Sequence, residues 1–239
     1  MRFGYDEAIL ELAPKLVAGV IWCRGIDNTK PVPAISELLE AATTRAAKRY
    51  LENADIARDP AIAAWREVYS VLGLTPNRYP CAAESLIRRA VSGQPVPSIS
   101  SLVDLCNAVS LDHAIPVAPF DLRLVEGDCI VRLATGDEVF RAIGTDELQP
   151  IPAGEAVYAD ATAEVLSRRW NWRQTGKGAI QPSTTDVLIT TEAVHADGRA
   201  TVESVLDRLA SGIDAHLAGT RETDIATVGN PFSTSTQSK

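Results

Sequence analysis

The sequence predicts an α+β fold in which N-terminal helices pack on a mixed or antiparallel β-sheet and a C-terminal helix follows. Three observations predict it. Up to Pro116, apolar residues recur at helical spacing. Beyond it the pattern alternates with period two, punctuated by Gly127, Gly136, Gly144 and Gly154. Near the end the helical period returns. Residues 1–218 are expected to form one domain and the polar, Ser/Thr-rich residues 219–239 a flexible tail.

The first expected element is a strand over 16–24, apolar and β-branched, which Pro31 and Pro33 separate from the first helix. That helix, over 35–54, has Ile35, Leu38, Leu39, Ala42 and Ala46 on one side. Asp59 and Pro60 read as an N-cap with proline at the first helical position, opening a helix to Leu72 that Gly73 stops. A third helix covers 82–91, with Glu84 and Arg88 spaced i,i+4. After a Pro/Gly linker, a fourth covers 98–112. In it Asp104 and Asn107 interrupt the apolar side, as a pair fixing helix-to-sheet packing. Strands are expected at 122–125, 129–134, 138–143, 156–160, 165–173 and 186–191, and the last helix at 199–217.

Bulk properties exclude several classes. No run of about 18 apolar residues exists, so no membrane span is expected. The first 25 residues lack the pattern of a secretory signal, which makes the cytoplasm the expected location. The four cysteines (23, 81, 106 and 129) and three histidines have no metal-ligand spacing, so neither metal nor cofactor is expected and the thiols read as buried and reduced. Cys81, just before a helix, is conceivable as a nucleophile but more often such a residue caps or packs; a lone His195 is more often incidental. Phosphate-loop, dinucleotide-turn and nucleophile-elbow motifs are absent.

The net charge of −8 argues against a broad phosphate-tracking surface and against DNA as a partner. Charge is uneven, however. Residues 165–185 contain no acid but hold Arg168, Arg169, Arg173 and Lys177, and residues 85–103 contain no acid but hold Arg88 and Arg89. Within the first segment, residues 168–174 read Arg-Arg-Trp-Asn-Trp-Arg-Gln. As a strand, this stretch would place Arg169, Asn171 and Arg173 on one face, and Arg168, Trp170, Trp172 and Gln174 on the other. The two rings would then pack in the core or stack on a base, and the polar set calls for a partner.

Several stretches together resemble a known family. Residues 98–107 contain Val103-Asp104-Leu105-Cys106-Asn107, and a Pro116-Val117-Ala118-Pro119-Phe120-Asp121 turn comes next. The Ala156-Val157-Tyr158-Ala159-Asp160 and Thr184-Thr185-Asp186-Val187-Leu188 stretches come later in the same order, and 79–89 with 169–174 resembles the free-standing branch. Over about 75–195 the chain is similar to the B3/B4 domain of the phenylalanyl-tRNA synthetase beta chain. The resemblance implies an aminoacyl-tRNA hydrolase without a synthetase body, cleaving the ester of mischarged tRNA in trans. It implies catalytic roles for Asn171 and Arg173, and substrate contacts from Ala118, Gln174, Thr184, Thr185 and Asp186. Arg88, Arg169 and Lys177 would reach tRNA. The family's turn commonly carries a histidine where this chain has Ala118, which leaves the rejected amino acid open. Binding of aminoacyl-tRNA is expected to be weak and transient, helped by a synthetase or elongation factor. A non-catalytic tRNA- or RNA-binding module and an amino-acid-binding protein on the same fold stay open as alternatives.

Overall fold

The computed structural model describes residues 1–51 and 53–236. Residue 52 of the expected 35–54 helix and residues 237–239 of the expected tail lie outside the described residues. The chain forms an α+β fold. Its order is β1 (Arg2–Tyr5), α1 (Glu7–Leu12), β2 (Val17–Arg24), α2 (Pro33–Arg49), α3 (Asn53–Arg58), α4 (Pro60–Val71), α5 (Ala82–Val91) and α6 (Ser101–His113). Then come β3 (Val117–Asp121), β4 (Cys129–Leu133), β5 (Val139–Arg141), β6 (Leu148–Pro150), β7 (Ala156–Ala159), β8 (Ser167–Arg168) and β9 (Arg173–Gln174). The chain continues through β10 (Val187–Ala193), α7 (Gly198–His216), β11 (Thr220–Thr227) and β12 (Phe232–Thr234).

Two main sheets organise these elements. One runs β12-β1-β4-β7-β8-β9, with β1 and β4 parallel; the other runs β11-β2-β10-β3 and is antiparallel throughout. β10 is the pivot. Its Val187, Ile189 and Ala193 join the core beneath α6 and α7. Strand alternation turns Leu188, Thr190 and Glu192 to the opposite face, where Leu188 joins the core between the two sheets. Gly19 on β2 is where α7 comes closest: a Cβ there would stand 2.8 Å from Leu206 and from the Thr191 methyl.

Several expectations need correction. The 35–54 helix ends at Arg49, because Tyr50 turns extended and its hydroxyl donates to Asp59 at 2.7 Å. Asp59 itself caps α4 by accepting from the Ala61 amide, as its sequence position suggested. The 98–112 helix starts at Ser101, with Ser100 as its cap. Residues 122–124 form a single 3-10 turn, and the strand lies before it as β3; Asp121 caps the turn by accepting from the Arg123 amide at 3.0 Å. The 165–173 strand is instead a hairpin of two short strands, β8 and β9.

Residues 220–227 are not a tail. They pair with β2 along eight positions, and β12 pairs with β1. Trp22 Nε1 donates to Ser233 Oγ at 3.0 Å, so a buried indole is completed from the far end of the chain. Deleting residues 219–239 is therefore expected to destabilise the protein by more than about 2 kcal/mol, since β2 loses a neighbour and a buried donor loses its acceptor. Urea unfolding measures this; an unchanged midpoint would show the strands to be dispensable.

Candidate functional site

The centre of the molecule is a carboxylate that the sequence patterns did not single out. Glu192, 1% exposed on β10, faces the core between the sheets. Its Oε1 accepts from Tyr5 Oη and Trp170 Nε1, each at 2.8 Å, and its Oε2 accepts from Asn171 Nδ2 at 3.2 Å. Tyr69 Oη completes the cluster by donating to Asn171 Oδ1 and to the Arg169 carbonyl, both at 2.9 Å. Burial raises the Glu192 carboxyl above the ordinary glutamate value, outweighing the hydrogen bonds from Trp170, Tyr158, Tyr5 and Asn171 that favour the charged form. The signal in the sequence was slight: one acid among apolar and threonine residues in a strand too apolar to have a solvent face.

This cluster shapes the 168–174 segment. β8 and β9 pair directly, and residues 169–172 make the turn, with the Trp172 amide bonded to the Arg169 carbonyl at 3.2 Å. Arg169 (φ 47°) and Trp170 (φ 58°) are both left-handed, a conformation costing roughly 1–2 kcal/mol for each non-glycine residue. Trp170 is fully buried, edge-on to Trp65 at 5.2 Å between ring centroids. Its role is packing, and it presents no face to a base. Trp172 is half-buried, with the Arg169 guanidinium 4.6 Å and the Arg173 guanidinium 4.5 Å from its centroid. The hairpin turn therefore removes the expected alternation: Asn171 points inward to Glu192, while Arg173 is exposed.

The remaining residues singled out in the sequence fall into two groups. Gln174 ties the edges of the two sheets together, its Nε2 donating to the Pro119 carbonyl at 2.8 Å and the Gly178 carbonyl at 3.3 Å. Ala118, the neighbour of Pro119, is half-buried opposite Thr190 in the β3–β10 register. Gln174 thus closes a seam between β9 and the β3 strand that carries Ala118; Arg173 is exposed next to Gln174 on β9, whereas Asn171 is bonded to Tyr69 and Glu192.

Thr184, Thr185 and Asp186 lie beyond the other end of β3 and do not share a lining. Thr184 is fully buried and donates to Asp121 Oδ2 at 2.6 Å. Thr185 is exposed, and Asp186 accepts from the Gly25 amide at 3.2 Å and faces Arg24 at 3.9 Å. Successive residues of an extended segment point oppositely, so three in a row do not wall one pocket. Burial raises the Asp121 carboxyl, but bonds from Arg123 and Thr184 outweigh it and hold the group below the usual carboxylate range.

Several of the cations are already paired. Lys177 Nζ contacts Asp160 at 2.6 Å, and Arg88 shares Glu84 Oε1 with Arg66 at 2.6 and 2.7 Å. Arg168 grips Glu155 through two 2.9 Å bonds, leaving Arg169 at 3.6 Å from that carboxylate. Asp104 bonds back to Ser98 and to the Ile99 amide, so it fixes the approach to α6 independently of the half-buried Asn107.

Cys81 is buried, and burial pushes its thiol up to about 12, which leaves it no thiolate for nucleophilic work near neutral pH. His195 lines a separate groove of about 450 Å³ between the α1–β2 turn and α4. Its Nε2 contacts Thr201 at 3.1 Å, and burial lowers its pKa. Among the described residues, no helix is long and apolar enough to cross a membrane.

Fold and seam together define a two-sheet α+β domain whose sheets are joined through a buried carboxylate and flanked by an arginine-rich turn. Residues 64–216 match the family model of the B3/4 domain, and the chain belongs to that family. Among solved structures, one that it resembles is an N-terminal fragment of the phenylalanyl-tRNA synthetase beta-subunit from Pyrococcus horikoshii. The TM-score is 0.47 at 10% identity, over 92% of this chain and 49% of that one. The chain thus spans about half the length of that fragment. Among curated proteins no match was found.

The raised Glu192 value has a definite consequence for stability. Because the folded-state value lies above the unfolded one, the contribution of Glu192 is full below about pH 4.3 and is lost as pH rises through the raised folded value. Urea unfolding of wild type and Glu192→Gln across that window should show the wild type losing stability relative to the variant as pH rises. A difference that stays constant with pH would contradict the assignment.

Proposed function

We propose that this protein is a trans-editing aminoacyl-tRNA deacylase, hydrolysing the ester that joins a wrongly attached amino acid to the 3′ end of tRNA. The observation that carries the reading is the B3/4 match over residues 64–216, which spans both the Ala118 strand and the arginine-rich turn. In this reading water adds to the ester carbonyl, and the bond from the acyl carbon to the ribose oxygen breaks. The ribose oxygen takes up a proton, releasing free amino acid and tRNA. An ester is already activated, so positioning water and neutralising the oxyanion suffice.

Each residue at the seam has an assigned part. Arg173, exposed beside it, faces the ester or the terminal ribose. Asn171, bonded at both ends of its amide, is a positioning residue that holds the turn on Glu192. Ala118 borders the amino-acid side chain, where its small methyl leaves room that a larger residue would fill. Thr184 and Asp186 are not carried into this site, because their partners are Asp121 and Arg24. With a net charge of −8, tRNA binding is expected to be micromolar or weaker in order of magnitude, with a synthetase or elongation factor as the helper.

A panel of radiolabelled aminoacyl-tRNAs tests the reading through loss of the ester. Hydrolysis of particular mischarged species is expected, with Arg173→Ala lowering the rate by about 10²-fold while the thermal midpoint stays unchanged. Salt-sensitive tRNA binding without ester loss would instead make the protein a binding module. Binding of free amino acid with indifference to tRNA would make it an amino-acid-binding protein.

A further inference from the structure

Arginines gather around two aromatic rings on one surface of the protein. The Arg78 guanidinium lies 5.1 Å from the Tyr79 ring centroid, and that of Arg169 lies 4.2 Å from the same ring. Arg169 also lies 4.6 Å from the Trp172 centroid, and Arg173 lies 4.5 Å from it. Tyr79 and Trp172 themselves meet edge to face, with centroids 5.1 Å apart, so Arg169 lies against both rings and the five residues form one cluster, drawn from two segments about ninety residues apart in sequence. Arg78 and Arg173 are exposed, and no ion pair engages either of them among the described residues.

The surroundings add to the positive charge. Arg88 donates to the Asn77 carbonyl at 3.4 Å and Arg66 to the Asn77 side chain at 2.7 Å, which places both beside Arg78. With Arg168, six guanidiniums gather here, and the carboxylates paired with them are Glu84 and Glu155. Even with Glu192 buried beneath the turn, guanidiniums outnumber carboxylates in this cluster, an arrangement that favours an anion in a chain of net charge −8.

We propose that this cluster is the docking surface for a single-stranded RNA segment, with Arg78 and Arg173 contacting phosphates and offering their flat guanidinium faces to unpaired bases. Arg78 and Arg173 are the exposed guanidiniums of the cluster, and they are where a ligand makes contact. An unpaired base stacks on a guanidinium plane, and a phosphate accepts from its edge. A paired duplex shields its base faces and fits less well. The inference deepens the function proposed above, in that the RNA would be the acceptor end of tRNA, but binding through Arg78 does not require ester hydrolysis.

The test is fluorescence anisotropy of a 5′-labelled single-stranded RNA titrated with the full chain, repeated over a series of salt concentrations. Arg78→Gln and Arg78→Gln/Arg173→Gln are compared with wild type and with Arg199→Gln, a charge control on α7. Exposed side chains are replaced, and far-UV circular dichroism checks that the fold persists. The double variant is expected to bind on the order of tenfold more weakly, with a log–log salt slope shallower by about 1.4, while Arg199→Gln binds as wild type. Equal binding by wild type and double variant overturns the proposal, as does a wild type that binds a poly-glutamate peptide as tightly as RNA. If the Arg78 and Arg173 variants lose RNA and the wild type cleaves no ester, the surface stands and the deacylase reading falls. If esters are cleaved and the variants bind RNA unchanged, the reverse holds.

Discussion

The protein is organised around the cost of burying Glu192. A carboxylate removed from water must be surrounded by donors, and here they come from places remote in sequence: Tyr5 on β1, and Trp170 and Asn171 in the 169–172 turn. β10 carries the glutamate at the centre of one sheet, while the donors belong to β1 and the β8–β9 hairpin of the other. Satisfying one buried group thus fixes the two sheets against each other. It also compensates two consecutive left-handed residues that would otherwise favour a different turn.

That constraint determines what reaches the surface. With Trp170 drawn inward, Arg169 is held against the Tyr79 and Trp172 rings, and Arg173 is left outside. Charge alone would have assigned every base in the segment to a ligand. The structure instead commits Arg168 to Glu155 and Lys177 to Asp160, both within the fold. The result is a small basic area on an acidic protein, suited to brief engagement of a polyanion.

Where an element carries its own local signals, it was legible in the sequence. Asp59 with Pro60 marks the start of α4, and α5 obeys its own apolar pattern. α7 likewise falls within a residue of the span its apolar spacing indicates. β1, β11 and β12 were not legible, because their stability comes from pairing with strands far away in sequence; β11, a polar edge strand, also looks like a loop. The hairpin at 167–174 reads as one strand in the sequence because no glycine announces its turn; burial of Trp170 enforces it.

The candidate site divides the same way. The basic segment holding Arg168, Arg169, Arg173 and Lys177 was plain in the sequence, whereas a site uniting Ala118 and Gln174 with Thr184, Thr185 and Asp186 was only what the family resemblance implied. Only tertiary structure decided that Gln174 joins β9 to β3, that Asn171 serves Glu192, and that Thr184 serves Asp121. The reason is that one-dimensional patterning reports how residues repeat along a strand or helix, whereas the partner of a buried polar group is set by which distant backbone the fold brings within hydrogen-bond reach.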